Sequence, residues 1–230
     1  MIITSILFST LWTISTANHQ LAPARNPVSE PVAKNILDYY RELKGDYAPG
    51  YDIRKKGDGW VSQSTAEYEI PVTVDIRNGF IELTDEGTGG GTFKVQVVLF
   101  RLADGNPQIG ITKTEFDGIG ANQQYYFIRP EDPGQYDWTE HAVPIITYLD
   151  FYQEEDEEID PELAEKAFPI LFDLPQNGTS LKVRIFLGNR ILYCGEDAGV
   201  ERSKLCPLFD HMARESFNLK WIKAEGRFDY

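Results

Sequence analysis

Between Ile70 and Leu83 the chain alternates. Ile70, Val72, Val74 and Ile76 interleave with Pro71, Thr73 and Asp75, Asn78-Gly79 interrupts, and Ile81 and Leu83 resume the pattern. A period of two marks strands with one buried face. Asn-Gly readily takes the positive φ angles of a two-residue hairpin turn, which predicts Ile76 opposite Ile81 and Val74 opposite Leu83. Phe93 to Leu102 is apolar on both faces around Val97, Val98, Leu99 and Phe100, as in a strand covered on two sides. Ala103-Asp104-Gly105-Asn106 is turn chemistry, and Gln108 to Thr114 returns. Tyr125-Tyr126-Phe127-Ile128 adds a further strand ending at Pro130, with Tyr125 and Phe127 on one face and Tyr126 on the other. These segments predict a meander of about five strands.

Ahead of them the period changes. Ala33, Ile36, Leu37, Tyr40 and Leu43 recur at steps of three and four, which puts them on one face of a helix. Ser29 is placed to cap it, Pro31 suits its first turn and Gly45 ends it. That apolar stripe requires an apolar surface, and the sheet supplies one. The segment Glu131 to Phe151 reads as a connection, with a turn at Pro133-Gly134 and Trp138 as its anchor. Asp160-Pro161 opens a short helix that Pro169 stops. Leu181 to Leu187 alternates again, with a return strand expected at Ile191 to Cys194 and a helix from Pro207 to Phe217. Leu219, Trp221 and Phe228 supply a terminal strand pair. The fold class expected is α+β: a strand-rich antiparallel meander sheet packed with an N-terminal amphipathic helix.

The leading segment has a different pattern. Ile2 to Ala17 carries no charge, is rich in Ile, Leu, Phe and Trp, and closes on Ser15-Thr16-Ala17. This reads as the apolar core and cleavage site of an export signal, although no Lys or Arg precedes it. It is too short and too diluted by Thr and Ser to span a bilayer, and no later segment is long enough. Residues 1–17 are therefore expected to be a cleavable signal, 18–31 a polar leader with Pro23, Pro27 and Pro31, and 32–230 a single domain. The acidic segment 153–160 is its one candidate sub-boundary. The expected localisation is secreted or periplasmic. Cys194 and Cys206 fit that compartment as a disulfide pair, since two cysteines at this spacing suit neither a redox motif nor a zinc site.

The formal charge is −14, which disfavours nucleic acid and anionic lipid and favours a cationic partner such as a basic protein. The string Gly87-Thr88-Gly89-Gly90-Gly91 leads into a strand and follows Asp85 and Glu86, so it suits a hairpin loop better than a phosphate cradle. In the run Glu154 to Glu158, Asp156, Glu158 and Asp160 alternate and are the candidate ligands for a metal such as calcium. Asp137, Glu140 and His141 lie beside Trp138 without an identifiable nucleophile, and no cofactor motif is present. Trp138, Tyr126 and Tyr125 are the candidate ligand-binding aromatics. Asn177-Gly178-Thr179 matches a glycosylation acceptor and equally a turn.

The opening helix, Ile76-Arg77-Asn78-Gly79-Phe80-Ile81, Phe100-Arg101-Leu102-Ala103-Asp104-Gly105 and Trp138 ahead of Val143-Pro144 resemble a pattern in uncharacterised exported bacterial α+β proteins, over Val32 to Pro144. The resemblance implies export and carries no activity. The leading expectation is a non-enzymatic exported domain that binds a protein or glycan through aromatic residues. The rivals are an exported carboxylate-dependent hydrolase, calcium-assisted at the acidic segment, and a charge-driven inhibitor or structural protein for a basic partner.

Overall fold

The computed structural model describes residues 33–152, 168–188 and 190–230. Seven strands form one antiparallel meander in sequence order: β1 (Arg54–Lys56), β2 (Gly59–Gln63), β3 (Glu69–Asp75), β4 (Phe80–Asp85), β5 (Thr92–Arg101), β6 (Pro107–Phe116) and β7 (Ala121–Ile128). A second, four-stranded sheet has the order β11-β10-β9-β8, from β8 (Ile170–Asp173), β9 (Ser180–Ile185), β10 (Ser216–Ile222) and β11 (Arg227–Asp229). The expected class is the one observed: strand-rich α+β, with an antiparallel meander under a helix. Lys34–Tyr230 forms one compact unit.

Alternation along the central strands builds two cores back to back. On one face of the large sheet, Ile81, Val95, Val97, Ile109, Ile111 and Ile128 pack against Ile36, Leu37, Tyr39, Tyr40 and Leu43. On the other, Phe80, Val98, Phe100 and Phe127 pack against Phe172, Leu181, Val183, Leu219 and Phe228 of the small sheet. The layers are therefore helix, large sheet, small sheet. β5 and β6 are buried on both faces because they lie in the middle layer, as the two-sided apolar pattern at Val97 to Phe100 predicted.

The helix α1 (Ile36–Glu42) begins later than expected. Its N-cap is Asn35, whose side chain accepts from the Leu37 and Asp38 amides, while Asp38 accepts from the Asn35 amide. This reciprocal cap satisfies end-group N–H donors that a Ser29 start would have left further back in the chain. Ser29 and Pro31 lie outside the described residues, and Ala33 precedes the helix and is exposed.

Three other local expectations are corrected. In the β3–β4 hairpin, Val74 faces Ile81 and Val72 faces Leu83, so the register is two residues from the one expected. Ile76 falls in the turn, 50% exposed. The Asp75 carboxylate sets this longer turn by accepting from the Asn78 amide at 3.0 Å and side chain at 2.7 Å. A two-residue shift keeps every apolar residue on its face, so the pattern alone did not distinguish the registers. The return strand expected at Ile191 to Cys194 is a helical turn, and β9 pairs instead with β8 and β10. The helix expected from Pro207 to Phe217 is a short turn, Cys206–Phe209, and Phe217 belongs to β10. Cys194 and Cys206 are joined in a disulfide, with Cα atoms 5.0 Å apart. It ties these two turns together beside the packed rings of Phe168, Tyr193 and Phe209.

Three glutamines join the two sheets. Gln123 accepts from the Phe172 amide at 2.7 Å and donates to its carbonyl at 3.1 Å. Gln96 accepts from the Leu174 amide at 3.0 Å. Gln108 donates to the Gly226 carbonyl at 3.0 Å and accepts from Arg129 at 3.1 Å. Each amide gives backbone groups at the buried or half-buried sheet–sheet junction a partner.

Candidate functional site

β7 is an edge strand of the large sheet. After the turn at Pro133–Gln135, capped by Asp132, the chain folds back onto its C-terminal half. Arg129 donates from its amide to the Tyr136 carbonyl and Trp138 to the Phe127 carbonyl, both at 2.8 Å. The Phe127 amide donates to the Thr139 hydroxyl at 3.0 Å. The returning segment then turns into a short helix, Thr139–Ala142, and a cleft of about 470 Å³ opens beside it, lined by Tyr125, Tyr126, Asp137, Thr139, Glu140 and His141.

Tyr125 and Tyr126 reach this cleft from opposite faces of one strand, as the alternation required. Tyr125 packs against Phe172, ring centres 4.6 Å apart, and burial raises its phenol above the usual range. Tyr126 meets the edge of Tyr47 at 5.3 Å and carries the Lys113 ammonium 5.7 Å from its ring centre. Lys113 also donates to the Asp46 carbonyl at 2.7 Å, and burial lowers its pKa.

Asp137 is held as an acceptor. Its two oxygens take the Thr139 amide and the Tyr47 hydroxyl, each at 2.9 Å. Burial pushes its pKa up, but the bonds from Thr139 and Tyr47 outweigh burial and leave the carboxyl below its usual range. The reciprocal effect, hydrogen bonding to that carboxylate, pushes the Tyr47 phenol up to about 12. Glu140 and His141 are exposed on the cleft wall. Among the described residues, no three His, Cys, Asp or Glu side chains converge as metal ligands would.

Trp138 lies behind this wall. Its indole N–H donates to the Gly226 carbonyl at 2.9 Å, and the Arg129 guanidinium sits 3.5 Å from its ring centre. It anchors the returning segment, which is the role expected of it in the connection, and its ring stands 4.6 Å from His141. Asp156, Glu158 and Asp160 lie outside the described residues. His211 is exposed on the turn after Cys206–Phe209 and does not line the cleft. The glycine string at residues 87–91 is the loop between β4 and β5.

Tyr47 and Thr139 are the site residues that sequence reasoning missed. Asp137-x-Thr139 is readable as local turn chemistry. Tyr47 has no local signal, because its partner lies 90 residues away. A larger hollow of about 560 Å³ lies beside α1, between Tyr40 and Ile53. Its Tyr40 hydroxyl is committed to the Tyr51 carbonyl at 2.7 Å, and among the described residues its charged walls are Arg41 and Asp52. The β7 cleft is the better candidate because it gathers aromatic faces and polar groups together.

No protein-family model matches the chain, and no curated protein matches it. Among solved structures, the chain is similar to a domain of an uncharacterized protein from Porphyromonas gingivalis W83. The TM-score is 0.52 at 13% identity, over 77% of this chain and 78% of that one. The likeness is one of fold.

Proposed function

We propose that this chain is an exported binding domain that holds a protein or glycan ligand in the β7 cleft. The observation that carries the reading is the convergence of Tyr125, Tyr126, Asp137, Glu140 and His141 on one open hollow. Tyrosine faces offer apolar contact at low entropic cost, and the carboxylates offer acceptors to hydroxyl or ammonium groups. Trp138 contributes by holding the wall in place. A hydrolase would need a carboxyl free to exchange a proton with substrate. Asp137 is instead held ionised by bonds from Tyr47 and Thr139, and each oxygen keeps a lone pair that can accept from a ligand, which suits it to binding. The Cys194–Cys206 bond supports an oxidising compartment, and with it removal of residues 1–17 on export.

The test is retention of culture-medium and envelope components on the immobilised wild-type chain, compared with Tyr126→Ala and Glu140→Gln. A specific ligand should be retained roughly tenfold less by either variant, at low and at high salt. Equal retention by all three sinks the cleft reading. Loss in high salt alone favours a basic partner held by charge. Mass spectrometry of the protein from its host should find a mature amino terminus at Asn18, and an intact Met1 overturns export.

A further inference from the structure

The edges of the two sheets are guarded unequally. β1 is three residues long, Arg54-Lys55-Lys56, all charged and exposed. On the β8 side, the Gln123 and Gln96 side chains take the backbone groups of Phe172 and Leu174. β11 is again three residues and carries Arg227 and Asp229. β7 is different: Ala121 to Ile128 is eight residues with no charge and no proline. Charges, proline and short length are how folded proteins prevent strands from pairing with other chains. β7 has none of these.

The hydrogen bonds show which of its backbone groups face outward. The Phe127 amide and carbonyl bond to Thr139 and Trp138, away from β6, so in an antiparallel ladder the alternate residues Tyr125, Gln123 and Ala121 face the same way. Those outward amides and carbonyls have no hydrogen-bond partner among the described residues. They repeat at roughly 7 Å, a spacing that only another extended backbone matches. The Asp137–Thr139 segment already supplies such a backbone for one step and leaves the next open.

We infer that β7 accepts an extended peptide of a partner protein as an added strand, with a basic side chain of that peptide seated in the cleft against Asp137 and Glu140. This deepens the reading of the cleft and rests on it: the backbone edge supplies affinity and the cleft supplies specificity. The charge of the peptide follows from the exposed carboxylates on the wall and from the net −14 of the chain. The same charge opposes a second copy of this chain as the occupant.

The experiment selects heptapeptides from a random phage-displayed library against the purified full chain. Each is resynthesised in three forms: unmodified, N-methylated at odd residues, and N-methylated at even residues. The expected result is enrichment of Lys or Arg, loss of at least about tenfold in affinity for one methylated form only, and slowed exchange of the Gln123 and Tyr125 amides in the complex. Peptides that bind in both methylated forms, with those amides unchanged, overturn strand addition. If their binding still depends on Tyr126 and Glu140, the cleft reading survives that failure. Recovery of no peptide, or of peptides indifferent to Glu140→Gln, overturns the inference. Concentration-dependent protection of the two amides in the protein alone assigns the edge to a second copy and overturns it as well.

Discussion

Gly226 shows how much one position can depend on having no side chain. It sits at φ +69°, and a Cβ there would meet the Arg129 guanidinium, Leu102 Cδ2 at 2.8 Å and Gln108 Oε1 at 2.9 Å. Its carbonyl accepts from both Trp138 and Gln108, so the clash would fall where the two sheets and the cleft wall are tied together. Gly226→Ala is expected to destabilise the fold by about 2 kcal/mol or more, measured by urea unfolding. Asp85 is a second residue whose surroundings decide its behaviour. Burial raises its pKa, but bonds from the Tyr68 hydroxyl, the Gly87 amide and the Tyr51 hydroxyl hold it below the ordinary value. A carboxyl with a depressed folded pKa contributes its stability above the unfolded value, about 3.9, and loses it as pH falls through the folded one. Asp85→Asn should therefore lower stability at neutral pH and flatten the acid limb of the stability curve below about pH 4. An unchanged acid limb in that variant would remove Asp85 from the account.

At the scale of elements, glutamine amides bond to backbone at the junction of the sheets. Gln123→Ala would leave the Phe172 amide and carbonyl without their partner in a half-buried place. A cost of about 2 kcal/mol is expected, with amide exchange speeded at Phe172 and unchanged at Leu174, whose partner is Gln96. The disulfide is a different kind of tie, closing a segment of sequence separation 12. Its reduction should cost about 3 kcal/mol on the chain-entropy model, read as a lower urea midpoint in reductant. Elements were legible in sequence where they are local. β5, its turn and β6 follow from the two-sided apolar run and Asp104-Gly105. The short strands β1 and β2 were not named, because Arg54-Lys55-Lys56 has no apolar face to reveal it.

For the molecule as a whole, the shared middle layer couples the two cores. Phe100 belongs to the core between the sheets and Ile111 to the core under α1, yet they lie on neighbouring strands. Phe100→Ala and Ile111→Ala should each destabilise by about 3–4 kcal/mol while the protein keeps one cooperative transition. Two separate transitions in either variant would show that the layers unfold independently.

Hydrophobic period was enough to determine the strand-rich class, the helix stripe on Ile36, Leu37, Tyr40 and Leu43, and the opposite facing of Tyr125 and Tyr126. Those are consequences of the geometry of one helix turn or one pleat, and neighbouring residues contain them. The hairpin register, the layer order, the helical turns around the disulfide and the meeting of Tyr47 with Asp137 were decided by the tertiary structure. Each depends on groups far apart in the chain, or on a choice between pairings that bury the same residues equally well. The cleft falls in this second class, because it forms only where β7 outruns the segment that folds back against it.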